Sequence, residues 1–131
     1  MPQQYVVSAV AATREEWGWL VLLGDIEQMD GSPYLMFQLA HEFTEDDKRL
    51  GQDQPYIEIN NQGWSWYGHF EQIELRRNEL VIQMDREAQG RMENDGLFVF
   101  RFSLGDPDFE QVQQVLARIF AGNMAYTTSA A

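Results

Sequence analysis

The chain has no cysteine, only two histidines, and 9 lysines and arginines against 21 aspartates and glutamates in its 131 residues. Without cysteine there is no disulfide framework, thiol nucleophile, cysteine-ligated zinc or iron–sulfur cluster, which fits a reducing compartment. The shortage of cations leaves a formal net charge of −12. A phosphate backbone or an anionic membrane surface would repel such a chain, so neither nucleic acid nor membrane is the expected partner. Solubility, small cations or a basic protein are favoured instead. Long hydrophobic runs are also missing: the longest, Trp17 to Gly24, is far too short to span a bilayer. Met1-Pro2-Gln3-Gln4-Tyr5 lacks the basic and apolar regions of a secretion signal, so the expected location is cytoplasmic.

What is present is mostly strand pattern. With 44% hydrophobic residues and this length, one globular domain over residues 1–131 is expected. Tyr5 to Val10 and Trp17 to Leu23 are apolar and β-branched, and they read as an antiparallel pair joined around Arg14-Glu15-Glu16. A turn at Asp30-Gly31-Ser32-Pro33 leads into a strand from Tyr34 to Leu39. In Tyr56-Ile57-Glu58-Ile59-Asn60 the two isoleucines fall on one face, with Tyr56, Glu58 and Asn60 on the other. Ile73-Glu74-Leu75 and Leu80-Val81-Ile82-Gln83-Met84 flank the polar turn Arg76 to Glu79 and predict a β-hairpin, with Asn78 suited to positive φ. Phe98, Phe100, Phe102 and Leu104 share one face of a further strand.

The period changes near the end. Phe109, Val112, Leu116, Ile119 and Phe120 recur at helical spacing after Gly105-Asp106-Pro107. The pattern predicts an amphipathic helix from Pro107 to Ala121, with Asp106 as N-cap and Gly122 as terminator. Residues 123–131 show no packing pattern and read as a loose tail. The expected architecture is α+β: a mostly antiparallel sheet of about five to seven strands, with the C-terminal helix on the face carrying Leu75, Ile82, Phe98, Phe100 and Phe102.

Chemistry-bearing constellations are scarce. His41 and His69 would need Glu42 and Asp46, or Glu71, to complete a metal site, and their spacing fits no zinc signature. Asp85 to Gly90 starts like a calcium loop but has Gln89 at the fifth position and Gly96 at the twelfth, so it reads as a solvated connection. Ser8, Ser32, Ser65 and Ser103 lie in no nucleophile turn, and no glycine-rich phosphate loop occurs. No catalytic residues, metal or cofactor are expected, and the chain is read as a non-enzyme.

Two features exceed what a solvated surface requires. Glu42, Glu45, Asp46, Asp47 and Asp53 crowd into one segment where the strand pattern lapses, with Thr44 and Asp47 spaced to cap a helical turn. Such a segment is either a plain solvated loop or a device that steers a basic partner. The second feature is the stretch Trp64-Ser65-Trp66-Tyr67-Gly68-His69-Phe70, in which Trp64 and Trp66 share a face. These aromatics are either core or, where exposed, anchors for a protein interface.

The segment holding Glu58, Gln62, Ser65, Tyr67 and Gly68, followed by the hairpin Ile73 to Leu80, by Phe98 to Phe102 and by Leu116 to Gly122, resembles a family of small acidic bacterial immunity proteins, catalogued as immunity protein ten. His69 stands where a second glycine is expected. The resemblance covers roughly residues 33–122 and implies neutralisation of a cognate toxin of a polymorphic toxin system. It brings no catalytic or binding residues with it. Residues and resemblance together point to a partner-binding surface of Glu42, Glu45, Asp46, Asp47, Asp53, Trp64 and Trp66, facing a cognate and possibly basic toxin. A small-molecule or cation-binding module, or an enzyme, using the region of Trp64, Trp66 and His69 stays open as an alternative. So does an interaction protein of unrelated role, and nothing supports or excludes a homo-oligomer.

Overall fold

Alternating apolar and polar residues drive most of the chain into strands, and the breaks in that alternation decide where the strands change partners. The computed structural model describes residues 2–24 and 32–128. In chain order the elements are β1 (Gln3–Val6), β2 (Val10–Arg14), β3 (Gly18–Leu23), β4 (Leu35–Ala40), α1 (Glu45–Arg49), β5 (Tyr56–Ile59) and β6 (Asn61–Tyr67). They continue as β7 (Phe70–Leu75), β8 (Glu79–Met84), α2 (Arg86–Met92), β9 (Leu97–Arg101), α3 (Asp106–Ile119) and β10 (Tyr126–Thr128).

The class is α+β, as expected, but the strands divide between two sheets of five. One is an uninterrupted antiparallel meander, β2-β3-β4-β5-β6. In the other, β7, β8 and β9 form the antiparallel centre, while β1 joins β9 and β10 joins β7 in parallel at the edges. The expected pair around Arg14 to Glu16 is β2 with β3. Tyr5 belongs elsewhere: the apolar run from Tyr5 to Val10 breaks at Val7 to Ala9, and Tyr5 and Val6 pair with Phe100 and Arg101 in the other sheet. The hairpin from Ile73 to Met84 is present with Leu75 opposite Leu80. Among the described non-glycine residues, positive φ falls not at Asn78 but at Asn60, His69 and Glu93. Part of the expected turn at Asp30 to Pro33 lies outside the described residues.

Both sheets contribute to one apolar cluster, with Val21, Leu23, Phe37 and Ile57 from the meander and Ile73, Leu75, Ile82, Phe98 and Phe100 from its partner. The stripe of α3 lies in this cluster, including Phe109, Val112, Leu116 and Ile119. The backbone of α3 runs closest to β2, β3 and β4, while its Gln113 amide reaches the Thr128 hydroxyl of β10 at 3.5 Å and its Phe109 ring lies 4.6 Å from the Arg77 guanidinium, so the helix touches both sheets. Periodicity identifies an apolar face without identifying what covers it. Three local readings change as well. Gly105, not Asp106, is the N-cap of α3 and has no side chain to cap it, while the Asp106 carboxylate accepts from the Arg77 guanidinium at 2.8 Å. The connection after β8 is not merely solvated: Asp85 caps α2, whose Ala88 and Met92 are buried. The tail expected to be loose includes β10, where the Tyr126 ring stacks on Phe120 at 5.2 Å.

Candidate functional site

The strands of the meander have two faces. Phe37, Ile57 and Trp66 point into the core, while Gln38, Tyr56, Glu58, Ser65 and Tyr67 point the other way, as the pairs Tyr56 with Tyr67, Ile57 with Trp66 and Glu58 with Ser65 require. At one end of this outer face lies a groove of about 220 Å³. Trp17, Phe43, Tyr56 and Tyr67 supply its aromatic lining, and Gln38, Gln52 and Gln54 supply amides. Asp47 is the one charged residue of the lining. Trp17 is 47% exposed and Tyr67 is 40% exposed. Large aromatics half open to water are what protein interfaces use as anchors.

Each wall has a local cause. Trp17 ends the tight turn that precedes β3, and its carbonyl accepts from the His41 N–H at 2.9 Å, joining that turn to the end of β4. Immediately after Trp17, Gly18 lets the strands approach: a Cβ there would lie 2.1 Å from the Leu39 carbonyl oxygen. Asp47 is placed by the capping box anticipated from Thr44. The Thr44 hydroxyl accepts from the Asp47 N–H at 3.0 Å, and Asp47 Oδ2 accepts from the Thr44 N–H at 2.8 Å. Tyr67 precedes Gly68 and His69, with φ of 78° and 63°. His69 thus holds, as a non-glycine, the left-handed conformation that glycine adopts without strain. Its ring Nδ1 lies 2.9 Å from Asp85 Oδ2, which ties the turn to the start of α2.

Behind the groove lies a group that sequence reasoning missed. Glu58 is only 6% exposed. Tyr34 donates to Glu58 Oε2 at 2.5 Å and Tyr56 donates to Oε1 at 2.6 Å. Tyr34 is locked in turn by Asn60, since the Tyr34 N–H donates to Asn60 Oδ1 and the Asn60 N–H donates to the Tyr34 carbonyl, both at 3.0 Å. Burial, then the Glu58 carboxylate, push the Tyr34 and Tyr56 hydroxyls above the ordinary tyrosine range. A buried carboxylate therefore sits directly behind Tyr56 in the groove wall. The clue in the sequence was an acid inside a strand flanked by isoleucines and accompanied by two nearby tyrosines, the donors a buried carboxylate needs.

The expected binding residues end up in different places. Glu42, Glu45, Asp46 and Asp53 are exposed. Glu45 pairs with Lys48 at 3.7 Å and Asp46 with Arg49 at 3.0 Å, so α1 partly neutralises its own acids. Trp66 is 5% exposed, with the Arg91 guanidinium 5.4 Å from its ring, so it is core and not an exposed anchor. Trp64 is half-buried, its ring 6.0 Å from Phe98. The two tryptophans do share a face, as their spacing predicted, and that face is the inner one. A second hollow, of about 390 Å³, lies beside α3 and is lined by Trp19, Gln111, Val115 and Arg118 among others. There the Arg14 and Arg118 guanidinium groups lie 5.7 and 5.8 Å from the Trp19 ring.

Among the described residues no group of three or more His, Cys, Asp or Glu could hold a metal ion, and no helix is long and apolar enough to cross a membrane. The family described as Immunity protein 10 matches over residues 6–110. No curated protein and no solved structure matches the chain.

Proposed function

Since the chain belongs to the immunity protein 10 family, we propose that it neutralises a bacterial protein toxin by binding it, as an inhibitor and not as an enzyme, and that the groove beside α1 is the face it presents. The observation carrying this reading is the juxtaposition of half-exposed Trp17 and Tyr67 with Asp47, at the edge of the segment that also holds Glu42, Glu45, Asp46 and Asp53. Aromatic anchors beside a one-signed field suit a partner with a basic surface, which the field steers and the rings then hold. A toxin acting on nucleic acid carries such a surface where its substrate binds, and an acidic face seated there would exclude the substrate. The aromatic anchors are therefore assigned to Trp17 and Tyr67, with Trp64 at most at the margin.

The experiment is co-expression with each candidate toxin drawn from the reading frames that neighbour this gene. Cells should survive toxin production only when this chain is present, and the two purified proteins should form a complex. Death despite the chain, with no complex between the pure proteins, would refute the assignment.

A further inference from the structure

We infer that the groove is a socket for one guanidinium group, so that the bound partner inserts an arginine side chain between Trp17 and Tyr67. This rests on the toxin-binding reading and specifies its chemistry. The argument starts from charge complementarity within the groove. No cation lines it, and Asp47 contributes the one charge. One Asp47 oxygen is occupied by the Thr44 N–H, which fixes the carboxylate in place and leaves the second oxygen as an acceptor. Glu58 adds a second negative group behind Tyr56, buried and held by two hydroxyls.

The remaining lining distinguishes arginine from lysine. Guanidinium is planar and weakly hydrated, stacks on aromatic faces, and spreads five donors in a fixed fork, whereas ammonium is a compact and strongly hydrated point charge. Trp17, Phe43, Tyr56 and Tyr67 offer ring surface, and Gln52 and Gln54 bring polar amides to the lining beside Asp47. The Tyr56 and Tyr67 rings, 5.2 Å apart and tilted by 56°, form one corner of the socket. The hollow beside α3 has the opposite character, with Arg14 and Arg118 already on Trp19, and would repel the same group.

The test uses the whole isotope-labelled chain and three acetylated, amidated tripeptides that differ only in the central residue: arginine, lysine or the neutral isostere citrulline. The arginine peptide should shift the Trp17 indole signal and the Gln52 and Gln54 side-chain amide signals saturably. Citrulline should bind at least roughly tenfold more weakly, the factor expected for losing one charge-assisted contact. Trp17→Ala or Asp47→Asn should each abolish the shifts, and neither should disturb the fold, because Trp17 bonds through its backbone and an asparagine oxygen still accepts from Thr44. Equal binding of the citrulline peptide would overturn the socket, as would shifts spread over the acidic surface and indifferent to Trp17→Ala. The two readings fail separately. A toxin that binds Trp17→Ala as tightly as the native chain leaves the immunity role standing and removes the socket. A socket that accepts arginine in a chain that protects no cells does the reverse.

Discussion

Removing the Tyr34 hydroxyl tests the account of the groove's back wall. Tyr34 is buried and donates to a buried carboxylate at 2.5 Å, so Tyr34→Phe forfeits a hydrogen bond to a charged acceptor, worth about 1.5–3 kcal/mol. Tyr56→Phe should cost less, about 1 kcal/mol, because that hydroxyl is itself only half-buried and so gives up less desolvation when it is lost. Glu58→Leu removes the acceptor and strands the Tyr34 hydroxyl, a penalty of about 1–3 kcal/mol. When Tyr34→Phe and Glu58→Leu are combined, no polar group remains unpaired between them. The double variant should therefore be more stable than the sum of the single losses predicts, by about 1–3 kcal/mol. Urea denaturation followed by far-ultraviolet circular dichroism supplies all four corners of the cycle, provided the slope of stability against urea stays constant. Additivity to within about 0.5 kcal/mol would refute the coupling of hydroxyl and carboxylate.

Alkaline pH should destabilise the protein, because folding raises the affinity of Tyr34, Tyr56 and Tyr126 for their protons, in each case first through burial. Tyr126 is pushed up to about 12. Its contribution is thus intact below the ordinary tyrosine value near 10 and lost as pH rises from there through about 12, a loss that Tyr126→Phe should lessen in urea midpoints taken across that range. Phe100→Ala empties a fully buried site whose ring lies 5.1 Å from Tyr5 and should cost about 3–5 kcal/mol in the same assay; an unchanged midpoint would show that Phe100 is not core. Gly18→Ala drives a Cβ against the Leu39 carbonyl and should cost about 1–3 kcal/mol, with loss of partner binding, since Trp17 shifts with the strand. Replacing Glu45, Asp46 and Asp47 by their amides should lower the association rate with the toxin and flatten its salt dependence, measured by stopped flow at low and high salt. The fold should survive, because the α1 ion pairs are exposed and an asparagine still caps.

Local signals carried far in this chain. The hairpin from Ile73 to Met84, the stripe of α3 and the capping box at Thr44 each depend on residues a few positions apart, and each is present. The partition into two sheets was not legible, because alternation marks an apolar face in Tyr5 and in Val21 alike without saying that their strands join different sheets. The edge strand β10 escaped notice because three residues have no period, and its place is set by a parallel partner far back in the chain. At the site, the acidic segment was legible, but its aromatic companions were not. Trp64 and Trp66 lie close together in sequence and turn inward, while Trp17 and Tyr67 are far apart in sequence and line one groove only when β3 to β6 are laid side by side.

That meander gives the proposed binding face and the rest of the fold different histories. Every residue lining the groove lies between Trp17 and Tyr67, within a run of strands each paired with its neighbour in the chain. The other sheet must wait for Gln3 to find Phe98 and for Tyr126 to find Ile73, and such distant closures are the slow steps of folding. Pulsed hydrogen exchange should accordingly protect β3 to β6 before β1 and β10. The same separation matters for inheritance. With the groove as the toxin-binding face, a lineage facing an altered toxin would retune its specificity through substitutions within one contiguous stretch of gene, while the long-range pairings that hold the molecule together stay untouched.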